Sequence, residues 1–70
     1  MSADEYRAVL AALGLAQEDV GIILGSDPRN ARRWASGKVQ VPGAVAAMMR
    51  LWLSRPELVE VVRGFKQDKS

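Results

Sequence analysis

Two short helical patterns meeting at one glycine, in the stretch QEDVGIILGSDPRNARRWASGK from Gln17 to Lys38, constrain this chain more than any other feature. Val20, Ile23 and Leu24 form the apolar stripe of the first pattern, predicted to run from about Gln17 to Leu24, and Gly25 stops it. Asp27 then supplies a good N-cap and Pro28 suits the first position of a second helix. Ala31 and Trp34, three residues apart, share its inward face. Arg29, Arg32 and Arg33 therefore lie off that face, and Gly37 ends the helix. Gly21 stands inside the first pattern at a cost of roughly 1 kcal/mol against alanine, which makes sense where the second helix crosses close above it.

The flanking sequence predicts three more helices. Ser2 and Glu5 form a capping-box pattern ahead of Tyr6, Val9, Leu10 and Leu13, and Gly14 closes that first helix. Leu15 is expected to pack beneath the linker, and Val39 and Val41 to tuck against the core from an exit loop over 38–42. A fourth helix, from about Gly43 to Ser54, is apolar nearly all round, with Val45, Met48, Met49, Leu51, Trp52 and Leu53. A helix of that kind is expected to be buried on every face. Pro56 opens a fifth, in which Leu58, Val61, Val62 and Phe65 recur at i, i+3, i+4 and i+7; Gly64 and the polar tail Lys66 to Ser70 suggest fraying at its end. The expectation is an all-α domain of five helices spanning 1–70.

Seventy residues, about half of them apolar, suit one small core. A domain of this size buries only about 60% of its unfolded surface, and with no cysteine it has neither disulfide nor thiolate metal site to reinforce it. Oligomerisation is the remaining ordinary route to further burial. The chain has no histidine, which removes the commonest general base and metal ligand together. Asp4 and Glu5 stand where a signal peptide needs basic and then apolar residues, and the apolar stretch Val41 to Leu53 is broken by Pro42 and Arg50, so a cytoplasmic protein without a membrane partner is expected. The carboxylates fall in first helical turns or on polar faces, and no glycine-rich phosphate loop or nucleophile–base pair is present. No enzyme, cofactor, metal or small-molecule substrate is expected.

The formal charge of +2 hides a strong segregation. Residues 1–27 hold one basic and five acidic side chains, for −4, whereas residues 28–38 hold Arg29, Arg32, Arg33 and Lys38 with no acid, for +4. Residues 39–70 hold five basic and three acidic side chains, for +2. A solvated basic helix is the bland account of such a segment. The preceding glycine turn and the absence of any acid favour another: a helix, a turn and a second helix studded with arginine present side chains to the major groove of double-stranded DNA.

Residues 10 to 38, LAALGLAQEDVGIILGSDPRNARRWASGK, resemble the Cro/C1-type (XRE) helix-turn-helix family. The resemblance is carried by Gln17 at the start of helix 2, Gly21 within it, Gly25 in the turn and RRWASGK at the end of helix 3. It extends in outline from 5 to 53, with the motif over 17–36. Ala16 stands where the family commonly has a Ser or Thr cap. Ser26 and Ala31 replace larger apolar residues, which predicts looser packing between helices 2 and 3. The resemblance implies four or five helices and a homodimer on an inverted-repeat operator. Base-reading positions would fall on Pro28, Arg29, Arg32 and Arg33, and phosphate contacts on Gln17, Asn30, Ser36 and Lys38. Short length and the helix 4–5 tail are similar to phage and mobile-element autorepressors, including the anti-CRISPR-associated regulators.

Among the arginines, Arg29 and Arg33 are the expected base readers, because bidentate arginine on guanine is the commonest specific contact, while Arg32 suits phosphate equally well. Trp34 is expected in the core. Over about 42–65, Val45, Met48, Met49, Trp52, Leu58, Val61, Val62 and Phe65 are either core or a symmetric dimer interface, and the interface is favoured because so small a domain cannot cover helix 4 alone. The expected function is sequence-specific repression by occlusion, autoregulatory in the resemblance. The rival is an antitoxin or adaptor that grips another protein through helices 4 and 5.

Overall fold

Each helix begins or ends where a particular residue releases the backbone from helical geometry. The computed structural model describes residues 1–67, which form five helices and no strand: α1 (Ala3–Leu13), α2 (Asp19–Ile23), α3 (Pro28–Ser36), α4 (Gly43–Ser54) and α5 (Leu58–Gln67). Ser2 caps α1 through the expected capping box: its Oγ accepts from the Glu5 N–H at 3.1 Å, and the Glu5 carboxylate accepts from the Ser2 N–H at 3.1 Å. Asp27 caps α3 in the same way, accepting from the Arg29 N–H at 2.9 Å. Gly14, Gly25 and Gly37 have φ of 70°, 74° and 82°, the left-handed region that side chains with a Cβ avoid. The three punctuation points read from the sequence are thus backbone requirements.

Two boundaries differ from expectation. α2 is shorter than the predicted 17–24: Gln17 and Glu18 form a turn, and Leu24 follows the last helical residue. Ala16 cannot cap α2 with a side chain. Asp19 reaches back instead, its Oδ2 accepting from the Ala16 N–H at 2.8 Å, so this end is closed from inside the helix. α5 begins at Leu58, after a turn at Pro56 and Glu57. α5 runs through Gly64 to Gln67, and the last part of the expected polar tail, 68–70, lies outside the described residues.

α1 packs on both α3 and α4, α2 packs on α3, and α5 closes the core against α2 and α4. Tyr6, Val9 and Leu10 of α1 meet Val20 and Ile23 of α2, Ala31, Trp34 and Ala35 of α3, Val41, and Ala46, Met49 and Trp52 of α4; Val59 of α5 completes the cluster. The edge of Tyr6 packs on Trp34, with ring centroids 6.1 Å apart and planes at 75°. Val39, expected to tuck inward, is exposed, whereas Val41 is buried: the chain bends at Lys38 and Val39, so the two valines do not share a face as i and i+2 of an extended segment would.

The expectation of loose packing between α2 and α3 is also overturned. A Cβ built on Gly21 would lie 3.1 Å from the Asp27 carbonyl oxygen and 3.3 Å from both Ala31 Cβ and Pro28 Cα. Small residues on both helices allow a close approach in place of a gap. Gly21→Val is accordingly expected to lower stability by roughly 1–3 kcal/mol through overpacking, despite the better helix propensity of valine over glycine. Urea unfolding checks this, and an unchanged midpoint would contradict the close crossing.

α4 is only partly covered. Its inner face, Ala46, Met49 and Trp52, is buried, Val45 and Met48 are half-buried, and Leu51 and Leu53 remain 46% and 45% exposed. The expectation of burial on every face therefore does not hold within one chain. Among the described residues no helix is long and apolar enough to cross a membrane.

Candidate nucleic-acid interface

The rigid pairing of α2 and α3 determines where the basic side chains stand. Ala31, Trp34 and Ala35 hold one face of α3 in the core, which turns Arg29, Arg32, Arg33 and Ser36 outward. Past the left-handed Gly37, the N–H of Lys38 donates to the Arg33 carbonyl at 3.0 Å and returns the chain beside the helix end. Gln17 approaches from the start of α2, where its carbonyl accepts from the Tyr6 hydroxyl at 3.0 Å. That hydroxyl is pushed up to about 12, first by burial and then by the nearby Asp19 and Glu18 charges, so it remains a donor across the neutral range. Arg7 of α1 ties the same C-terminal end of α3, donating to the Ala35 carbonyl while it pairs with Asp4.

Gln17, Arg29, Arg32, Arg33, Ser36 and Lys38 consequently line one open concavity of about 420 Å³. Six of the eight candidate DNA-contacting residues are thus brought together although they span 22 positions of sequence. The other two lie elsewhere on α3. Pro28 is half-buried at the crossing with α2, where its Cα helps to exclude a Cβ at Gly21. Asn30 is half-buried, and its Oδ1 accepts a long hydrogen bond from Arg33 Nη1 at 3.4 Å.

The cations of the concavity are not equivalent. Arg29 is engaged by Asp27, with Nη2 donating to Oδ2 at 2.8 Å and Nε lying 3.3 and 3.2 Å from the two carboxylate oxygens. That side-chain pairing, with the Arg29 backbone N–H next, draws Asp27 down to about 2 and raises Arg29. Arg32 faces Glu18 at 3.7 Å, a loose surface pair. Among the described residues Arg33 and Lys38 have no carboxylate within ion-pairing distance. Ser36 is less available than its type suggests, because its hydroxyl donates to the Arg33 carbonyl at 3.1 Å and accepts from the Lys38 N–H at 3.4 Å. The start of α2 carries its own anion, Asp19 on the Ala16 N–H, so Gln17 would approach a phosphate through its side chain.

Sequence reading credits Asp27 with capping alone. Its second partner, two residues along in the same first turn, is visible as the triplet Asp-Pro-Arg. The roles of Tyr6 and Arg7 in fixing Gln17 and Ala35 are not visible there, since these contacts cross between helices.

A second surface lies away from this concavity. Leu24, Ala44, Val45, Met48, Val62 and Phe65 form an apolar groove of about 420 Å³ between α4, α5 and the end of α2, and Phe65 is 73% exposed. Val45, Met48, Val62 and Phe65 were expected in a dimer interface. Leu58 is half-buried and Val61 is exposed. Met49 and Trp52, also expected there, are fully enclosed by their own chain and have no surface to offer a partner. They lie on the side of α4 that faces α1, and the Trp52 indole N–H is buried without an acceptor among the described residues. Among the described residues no three of the acidic side chains gather as a metal site would need.

Compared with protein-family models, curated proteins and solved structures, the chain finds no match in any of the three.

Proposed function

We propose that this chain is a sequence-specific DNA-binding repressor of the helix-turn-helix class, with α3 as its recognition helix. Within that class it is read as a Cro/C1-like regulator that dimerises through α4 and α5 on an inverted repeat and represses by occluding a promoter, its own among them. The observation that carries the reading is the convergence of Arg29, Arg32, Arg33, Lys38 and Gln17 on one open concavity, supported by the close α2–α3 crossing beneath it. Arg33 is the leading base reader, since among the described residues no carboxylate lies within ion-pairing distance of it. Lys38 and Gln17 contact phosphate, and Arg32 serves either role. A symmetric dimer would set two copies of α3 about 34–36 Å apart, on successive major-groove faces.

The test is a titration of the protein against duplex from immediately upstream of its coding sequence and against a scrambled duplex. Selective binding supports the proposal; equal weak binding to both overturns it. With three or four phosphates neutralised per protomer, log K is expected to fall with log salt with a slope of roughly −5 to −7, and Lys38→Ala to flatten that slope by about one. A nearly flat dependence would refute the phosphate assignments.

The apolar groove favours a second reading, in which it holds a different protein, as in an antitoxin or adaptor. Sedimentation separates the two: a stable homodimer supports the repressor, whereas a persistent monomer with the groove exposed supports the alternative.

A further inference from the structure

Asp27 does more at the edge of the concavity than start a helix. Its Oδ1 accepts the backbone N–H of Arg29 at 2.9 Å, and its Oδ2 accepts from Arg29 Nη2 at 2.8 Å, with Nε between the two oxygens. The carboxylate thus grips the guanidinium side-on, along its Nε–Nη2 edge. A guanidinium has five N–H donors in a rigid plane, so this grip leaves the Nη1–Nη2 end unoccupied. That end carries the parallel pair of donors that matches O6 and N7 of guanine. Arg29 is 70% exposed, and a side chain of that length otherwise samples many rotamers.

We infer that Asp27 is a positioning residue for DNA reading, which holds the Arg29 guanidinium side-on so that its free Nη1–Nη2 end addresses guanine. It rests on the DNA-binding proposal above and adds a specificity element to it. Without Arg29, Asp27 would only place a negative charge near the phosphates and weaken binding. Its effect on affinity must therefore change sign with the residue at position 29.

Asp27→Ser tests this, because serine caps a helix as well as aspartate and lacks the carboxylate that grips Arg29. Base preferences would be measured by selection from randomised duplexes for the wild type, Asp27→Ser, Arg29→Ala and the double variant, with Arg33→Ala as a control. Arg29→Ala is expected to erase a guanine preference at one base pair, with a loss of roughly 5- to 100-fold. Asp27→Ser is expected to blur the same base pair by roughly two- to fivefold in the Arg29 background, and to strengthen binding in the Arg29→Ala background. In the free protein, the Arg29 Nε–H resonance should be protected from exchange, and Asp27→Ser should abolish that protection.

If Asp27→Ser left the guanine preference intact, or strengthened binding in both backgrounds, Asp27 would be a helix cap alone. If the wild type selected no sequence and Arg33→Ala changed nothing, the DNA-binding proposal itself would fall. A protected Nε–H beside that result would show the grip to be a surface ion pair without a reading role.

Discussion

Arg33→Ala is expected to weaken binding to the cognate duplex by ~1–3 kcal/mol, roughly 5- to 150-fold, and to erase the preference at one base pair. The side chain is exposed on the outward face of α3, its backbone is held by the helix and by Lys38, and among the described residues its guanidinium hydrogen-bonds to the neutral Asn30 and to no carboxylate. Binding DNA would therefore break no existing ion pair. Arg32 differs, because it would give up part of its interaction with Glu18, so Arg32→Ala should cost less and its cost should fall with salt. Competition titrations against single-base variants of the operator distinguish the two. A uniform loss over all duplexes for Arg33→Ala would make it a phosphate contact, and no loss would remove α3 from the interface.

Trp34→Ala is expected to destabilise the fold by ~3–5 kcal/mol, the range for removing a large buried aromatic side chain. Trp34 is 5% exposed, meets Tyr6 edge-on and lies among Ala31, Ala35 and Val41. Native domains of this size have only roughly 4–10 kcal/mol in total, so much of the variant should be unfolded at physiological temperature. Thermal unfolding followed by circular dichroism measures the effect, and Trp34→Phe should recover part of it. A folded Trp34→Ala protein that had lost only DNA binding would reassign the side chain to the interface.

A third expectation concerns acid. The Asp27 carboxyl, held down to about 2 by Arg29 and the α3 backbone, lies below its ordinary value of 3.8. Its contribution to stability is therefore complete above about pH 4 and is lost as pH falls through 2. The stability difference between wild type and Asp27→Asn should shrink over that window and stay constant from pH 5 to 8. A difference that grew on acidification would contradict the pairing.

Much of the architecture was legible because it depends on local chemistry. Ser2 with Glu5, Asp27 with Pro28, and Gly14, Gly25 and Gly37 act within a few residues of themselves, and the first three helices begin or end close to where those signals stand. The period of Ala31 and Trp34 likewise turned the arginines outward, since helical geometry alone separates the faces. α2 was overestimated because its apolar stripe extends beyond the turns that are hydrogen-bonded as helix, and Asp19 closes it one step inside.

What chain order could not supply was the partition of apolar residues between the inside and the outside. Met49 and Leu51 are equally apolar neighbours on one helix, yet one is enclosed and the other 46% exposed, because α1 covers only one side of α4. Trp52 is core for the same reason, whereas Phe65, one turn beyond the last packed residue of α5, stands open. The division of labour among the arginines was likewise hidden. Arg29, Arg32 and Arg33 carry the same charge in sequence, but only folding brings Glu18 of the turn before α2 towards Arg32 and leaves Arg33 without an ion-paired carboxylate among the described residues. Local signals settle backbone geometry because their partners are at most four residues away. Burial and charge pairing depend on contacts between distant segments, and these exist only once the helices have packed.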